Sequence, residues 1–349
     1  MIVVGIDPHK QTHTAVALDA ATGRKVGELE LTARARGFER LVRWARGLDK
    51  VDRFAVEDGR HVSGHLERHL LGRGETIVRV PPAMMGQARR ADRIRGKSDP
   101  IDAEAVARAA MGHPELPVAA LAGIERDLGL LVAHRESLVN ERTDKISKLR
   151  WLLHDLDPDI APGLRTLDRF KVMDRLAGEL ERKPRSTEVR ICLGLLSRCR
   201  EITVEARSLE RELTALMKAL APELLQISGC AALTAAKLLA ETARVERFPT
   251  EGHFARYAGT APLPVASGAS HRHRFNRHGN RQLNAAIHRI AITQLRIHEP
   301  ARDYFDKKRS EGMSKTEALR ALKRHITRVV FKTLTRINLP ADRLTAVAA

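Results

Sequence analysis

Apolar and polar residues over the first 80 positions follow the short period of extended chain. Ile2 to Ile6 is a β-rich apolar run, Thr12 to Leu18 is a second, and Lys25 to Leu31 alternates. Turn formers Asp19 and Gly23 separate the last two and predict an antiparallel meander. A helix with apolar Phe38, Leu41, Val42 and Ala45 comes next, then a strand from Phe54 to Val56, a helix around Leu66 to Leu71 and a strand from Thr76 to Val80. Three strands followed by α, β, α, β is the element order of an RNase H-like mixed sheet.

Beyond Pro114 and Pro117 the period lengthens to that of helices. Leu128, Leu131, Leu138, Ile146, Leu149, Leu152, Leu153 and Leu156 lie along one charged helix that ends near Asp157-Pro158. A second helix starts near Ser186 and carries Leu209, Leu213, Leu216 and Leu220 at coiled-coil spacing. A hairpin and a dimer would bury the same stripe, and the sequence leaves both open. From Pro222 a third region opens with Gly229 between two apolar helical patterns, as in a helix-hairpin-helix that presents backbone N–H groups to phosphate, or in an ordinary helical turn. A helix from Gln282 to Ile297 follows, and last comes a basic amphipathic helix. Ser314 and Glu317 form a capping box ahead of its Leu319, Leu322, Ile326, Val329 and Val330. The expected organisation is an α/β domain over 1–120, a helical coiled-coil linker or dimerisation region over 121–221 and a mainly helical domain over 222–349.

Charge changes the picture. Lys plus Arg outnumber Asp plus Glu by 61 to 43, a formal charge of +18, which favours a polyanionic partner through release of condensed counterions. Aromatic residues make up 3% of the chain, too few for a protein that stacks many bases, so backbone and shape contacts are expected to dominate. No stretch approaches the roughly 18 apolar residues of a membrane span, and a cytoplasmic, DNA-associated protein is expected. Cys192, Cys199 and Cys230 have no C-x-x-C pairing and read as small apolar core residues.

Four acids stand out. Asp7 and Glu57 each fall at the end of an expected strand, and in the proposed sheet those ends are neighbours. Asp99 and Asp102, in KSDPIDAEA, open a helix in which Pro100 suits the first turn and the i, i+3 spacing puts both carboxylates on one face. Close carboxylates repel unless a cation neutralises them, so the set suits Mg²⁺ and the polarisation of a phosphodiester. Taken singly, each acid also reads as an ordinary turn, strand-end or helix N-terminal residue.

G-I-D on the first strand, V-E-D-G after a later strand and K-S-D-P-I-D-A opening a helix together resemble the DEDD-type insertion-sequence transposases of the IS110 family. The N-terminal domain of that family is similar to the RuvC-type Holliday-junction resolvase. Asp58 directly follows Glu57 and leaves open which of the two binds metal. The resemblance continues from Tyr257 to Asn284, in YAGTAPLPVASGASHRHRFNRHGNRQLN, which is similar to the family's C-terminal transposase domain. On that match Ser267 corresponds to the nucleophilic serine, with Ser270 as its local competitor.

The same stretch is chemically unusual in its own right. No acidic side chain lies between Glu251 and Glu299, whereas Arg272, Arg274, Arg277 and Arg281 do and are expected to contact nucleic acid. A serine among arginines has cations at hand for a scissile phosphate. His271, His273 and His278 read as phosphate or base contacts, because the flanking arginines disfavour a dication. Gly279 and Asn280 make the turn into the next helix.

The resemblance implies a bacterial DNA recombinase in which Ser267 attacks a phosphodiester at a Mg²⁺ site held by Asp7, Glu57, Asp99 and Asp102. It further implies half-sites from different protomers of a dimer or tetramer, and a bridge RNA that selects donor and target DNA. The sequence shows no zinc finger or homeodomain, so base pairing is free to supply specificity. Three other readings stay open. They are a metal-dependent junction endonuclease with water as nucleophile, an ATP-binding protein of the actin and sugar-kinase class, and a non-catalytic DNA-binding protein.

Overall fold

In the computed structural model of the chain, the described residues are 1–57, 60–80, 84, 98–113, 116, 118–119, 124–161, 163, 166–267, 270–274 and 279–337. They fall into two compact units. One combines Met1–Gly123 with Thr242–Ala349, and the other is Ile124–Glu241.

The first unit opens with strands β1 (Ile2–Pro8), β2 (Thr12–Asp19) and β3 (Lys25–Thr32), helix α1 (Ala35–Leu48), strand β4 (Val51–Glu57), helix α2 (Arg60–Gly72), strand β5 (Ile77–Val80) and helix α3 (Asp99–Gly112). The five strands form one sheet in the order β3-β2-β1-β4-β5. β1, β2 and β3 pair antiparallel, whereas β4 pairs parallel with both β1 and β5. This is the RNase H-like order that the element sequence predicts, and mostly helical structure follows it.

Alternation along the strands decides which residues face which layer. Ile2, Val4 and Ile6 of β1 pack with Ala15, Ala17, Phe54 and Val56 against α1 and α2, through Phe38, Leu41, Leu66 and Leu70. Val3 packs on the opposite face with Val16, Leu18, Ala55, Val78 and Val80 against Ala103, Val106, Ala107 and Ala110 of α3. α3 is rich in alanine on this side, which lets it lie close to the sheet. At Gly5 the approach is closest, since a Cβ there would stand 2.1 Å from the Ala103 carbonyl oxygen and 2.4 Å from the Ala107 nitrogen.

A buried ion pair ties α2 to β5. Glu67 accepts a hydrogen bond from Ser63 Oγ at 2.6 Å and from Arg79 Nη2 at 2.8 Å.

The second unit contains α4 (Ile124–Leu156), α5 (Phe170–Glu181), α6 (Thr187–Leu220), α7 (Pro222–Leu225) and most of α8 (Ala232–Thr242). α4 and α6 run antiparallel, as shown by Glu141 with Arg198, Arg142 with Thr203 and His134 with Glu205. The leucine stripes therefore meet within one chain. On α6 the buried line is Cys192, Leu196, Cys199, Ala206, Leu213, Met217 and Leu220. Leu209 and Leu216, assigned to that line from coiled-coil spacing, are only half-buried, because spacings of three and four residues bring Ala206 and Met217 to the seam instead. All three cysteines are buried and free.

The first unit resumes with α9 (Glu251–Tyr257), β6 (Leu263–Ser267), β7 (Ser270–Arg274), α10 (Arg281–Ile297), α11 (Glu299–Ser310) and α12 (Lys315–Leu334). Phe254 meets Phe248 edge to face and packs at a tilt on Phe331, and Glu251 pairs with Arg324 and Arg328. The capping box at Ser314 and Glu317 is formed in both directions. The face of α12 that the sequence assigned to apolar side chains also carries buried Lys323 and Thr327. Val329, expected in that stripe, is exposed, because Ala318, Leu322, Ile326 and Val330 complete the row at four-residue spacing. Among the described residues no helix is long and apolar enough to cross a membrane.

Candidate active site

The parallel ladder between β1 and β4 pairs Ile6 with Val56, so the next residues, Asp7 and Glu57, come side by side at the same edge of the sheet. The period-two rule puts Asp7 on the face of Val3 and Gly5, and Glu57 on the face of Ala55, which is the face covered by α3. α3 begins at this edge. Ser98 is its N-cap residue, Asp99 and Pro100 open the first turn, and the Asp102 N–H donates to the Ser98 carbonyl at 3.0 Å. All four predicted acids thus arrive at one corner of the fold, two from strand ends and two from a helix start.

They differ in exposure. Asp7 and Asp102 are buried, at 5% and 6% exposed, whereas the Asp99 side chain is 56% exposed and Glu57 is intermediate. The expectation that Asp99 and Asp102 share a single helix face holds only loosely: α3 lies flat on the sheet, so the turn covers Asp102 and leaves Asp99 at the rim.

The Asp7 carboxyl is pushed up to about 6. Burial is the main cause, His9 opposes it, and the negative charges of Asp102, Glu57 and Asp99 add to it. A divalent cation would relieve this cost, because it supplies the positive charge that the carboxylates lack. Oxygen donors from aspartate and glutamate are the ligands that hard divalent ions take. The residues present therefore fit such an ion.

One member of the site escaped the sequence reading. His9 Nε2 lies 3.3 Å from Asp7 Oδ2 and 3.3 Å from Asp99 Oδ1. Among the described residues, Asp7, His9 and Asp99 form a group whose ligand atoms all lie within 4.8 Å of one another. Asp102 and Glu57 fall outside that group but act on Asp7 through charge. The missed signal is the spacing D-P-H at a strand end, where residues i and i+2 project to the same side. Asp58, the alternative to Glu57, lies outside the described residues.

The other predicted residues that are described sit on β6, β7 and the turns beside the helices. Ser267 is the last residue of β6 and pairs with Ser270, the first of β7, so the two serines stand where the antiparallel pair turns back on itself. Arg272 pairs with Val265 and Arg274 with Leu263 in the same ladder. Arg277 and His278 lie outside the described residues.

The base of the hairpin is closely packed. The Asn280 N–H donates to the Tyr257 carbonyl at 2.6 Å, and a Cβ on Gly279 would stand 2.3 Å from the Gly259 backbone. Asn280 also caps α10 by accepting from the Gln282 and Leu283 N–H groups at 2.9 Å, which leaves Arg281 exposed in the first turn. Gly229, in the second unit, has φ +80 between α7 and α8, a conformation that favours glycine. The helix preceding it, α7, is one turn long.

Residues 4–158 match the transposase family DEDD Tnp IS110, and residues 221–306 match the transposase family IS116/IS110/IS902. The chain is 28% identical to the 44.8 kDa protein of insertion element IS116 from Streptomyces clavuligerus, across 99% of this chain and 98% of that one. It is 36% identical over 144 residues to the 43.6 kDa protein of insertion element IS110 from Streptomyces coelicolor, which covers 40% of this chain and 36% of that protein. The 42 kDa protein of insertion element IS900 from Mycobacterium paratuberculosis is 27% identical, over 76% and 78% of the two chains. Among solved structures, RuvC of T. thermophilus in complex with a Holliday junction substrate aligns at 14% identity and a TM-score of 0.27, covering 33% of this chain and 94% of that one. With both of its ends matched by the same family and a full-length relative encoded by such an element, the chain belongs to the IS110 family of transposases.

Proposed function

We propose that the protein cuts and rejoins DNA by serine attack at a Mg²⁺-dependent site, with donor and target chosen by a bridge RNA. The observation that carries the reading is the convergence of Asp7, Glu57, Asp99 and Asp102 on one corner of the sheet, where Asp7 is burdened by its neighbours' charge. Magnesium bound there would supply the positive charge that polarises a phosphodiester. Asp7, Glu57, Asp99 and Asp102 are the residues that would hold it, with Asp7 and Asp99 already close to one another.

Ser267 stands at the end of β6 within a stretch of one-signed charge. Its Oγ forms a bond to phosphorus as the bond from phosphorus to the leaving sugar oxygen breaks. The hydroxyl proton is lost to solvent, and the leaving oxygen gains one. Rejoining reverses the step: a sugar hydroxyl attacks the phosphoserine and regenerates Ser267, so no ATP is consumed. Arg272, Arg274, Arg277 and Arg281, and the Gly229 turn, contact nucleic-acid backbone. The hydroxyl and the acids come from the same or different copies in a dimer or tetramer.

The test mixes purified protein with Mg²⁺, the RNA flanking its reading frame and cognate DNA, and resolves the products on denaturing gels. Wild type should give a covalent protein–DNA adduct and joined strands, and Ser267→Ala should lower both by at least about 1,000-fold. Equal joining by the variant would end the serine reading. Free ends without an adduct in wild type would favour a junction endonuclease with water as nucleophile.

A further inference from the structure

We infer that His9 is a ligand of the divalent cation, giving the site one imidazole nitrogen among carboxylate oxygens and a preference for Mn²⁺ over Mg²⁺. The inference rests on the metal-site reading above and adds a residue that the four-acid pattern does not contain.

Position comes first. His9 follows β1 directly, two residues beyond Asp7, and its backbone N–H is held by the Thr12 carbonyl at 3.0 Å and by His13 Nδ1 at 3.2 Å. The loop is therefore fixed through the His9 backbone N–H, which leaves the ring free to turn toward the acids. His13 itself is buried and stacks on Phe38, against the layer of α1 and α2. His9 is the imidazole that reaches Asp7 and Asp99.

Geometry comes second. The Nε2 atom is 3.3 Å from an oxygen of each carboxylate, the same distance to both. A charge-assisted N–H···O bond prefers about 2.7–2.9 Å, and a single N–H aims at one acceptor, so two equal and longer contacts are a poor ion-pair arrangement. They are a good arrangement for three ligand atoms around one ion. Adjacent corners of an octahedron lie about 3.0 Å apart when metal–ligand distances are about 2.1 Å, close to the two spacings from His9 Nε2, and all three ligand atoms lie within 4.8 Å of one another.

Chemistry supplies the consequence. Mg²⁺ is a hard ion that favours oxygen donors, whereas imidazole suits first-row transition ions. A site of carboxylates and one imidazole therefore holds Mn²⁺ more tightly than a site of carboxylates alone, with Mg²⁺ little affected.

The experiment uses the full-length protein with Mn²⁺ as probe. Binding is counted from the loss of the free-ion electron paramagnetic resonance signal, and the bound ion is examined by electron spin-echo modulation for coupling to ¹⁴N. Wild type should bind Mn²⁺ saturably with one imidazole coupling. His9→Ala and His9→Gln should lose the coupling and weaken Mn²⁺ binding about ten-fold or more, with a much smaller change for Mg²⁺ in competition. Bound Mn²⁺ without ¹⁴N coupling in wild type, or coupling that survives in both variants, would overturn the role of His9 while leaving the acidic site intact. No saturable Mn²⁺ binding in wild type, or binding unchanged in Asp7→Asn, would overturn the metal-site reading and this inference with it.

Discussion

Replacing Gly5 by alanine tests whether the approach of α3 to β1 assembles the acidic corner. The new Cβ would meet the Ala103 carbonyl oxygen at 2.1 Å, the Ala107 nitrogen at 2.4 Å and the Ala107 Cβ at 2.8 Å. A carbon–oxygen contact settles at about 3.3–3.6 Å, so the deficit is roughly 1.2 Å or more. Both nearest atoms are backbone in a continuous helix and cannot rotate aside. α3 must therefore retreat as a body. Overpacking of this kind costs about 1–3 kcal/mol and occasionally more, and a clash with main chain belongs at the upper end.

For a domain of about 150–250 residues each kcal/mol lowers Tm by roughly 2–4 °C, so Gly5→Ala should melt about 6–12 °C below wild type by calorimetry. The same retreat carries Asp99 and Asp102 away from Asp7, and divalent-cation affinity should fall in parallel. Gly47→Ala is the control: Gly47 lies in α1, a Cβ added there meets nothing within 4 Å, and the change should stabilise by up to about 1 kcal/mol. If Gly5→Ala melted within a degree or two of wild type and bound the cation equally well, the close approach would not be what brings the acids together.

Two further outcomes follow from buried charges. Lys323, 9% exposed and bonded to Asn284 Oδ1 at 2.5 Å, has its ammonium pushed down from 10.5 to about 8, chiefly by burial and further by Arg320. The unfolded chain then holds this proton up to a higher pH than the folded one, so stability rises between about pH 8 and pH 10.5. The stability difference between Lys323→Met and wild type, measured by urea unfolding, should shift in favour of wild type by roughly 3 kcal/mol from pH 7 to pH 10.5, and a flat difference would refute it. Glu67→Ala strands the Arg79 guanidinium, which is 14% exposed, and should cost about 3–5 kcal/mol. The double change Glu67→Leu with Arg79→Leu should recover most of that in the same assay, and no recovery would mean that the pair is not the source.

Much of this was legible in the chain itself. The period-two runs at Ile2 to Ile6 and Thr12 to Leu18, the turn formers between strands and the helical stripes of 128–156 report local burial, and local burial fixes element type. The strand-end positions of Asp7 and Glu57 followed from the same pattern, and the capping box at Ser314 is a local hydrogen-bonding motif that spacing alone identifies.

What needed the tertiary structure is whatever depends on contacts between distant segments. Met217 rather than Leu216 lines the seam of α6, because the antiparallel partner selects the face. Lys323 and Thr327 are buried in a stripe expected to be apolar, because Asn284 and Thr260 supply polar partners from other elements. His9 carries no signal on its own, since one histidine after a strand is ordinary, and it becomes part of the acidic corner only when α3 brings Asp99 against the end of β1. Sequence sets the periodicities, because those arise from the geometry of a single segment, whereas the partner of a charge is set by packing between segments far apart in the chain.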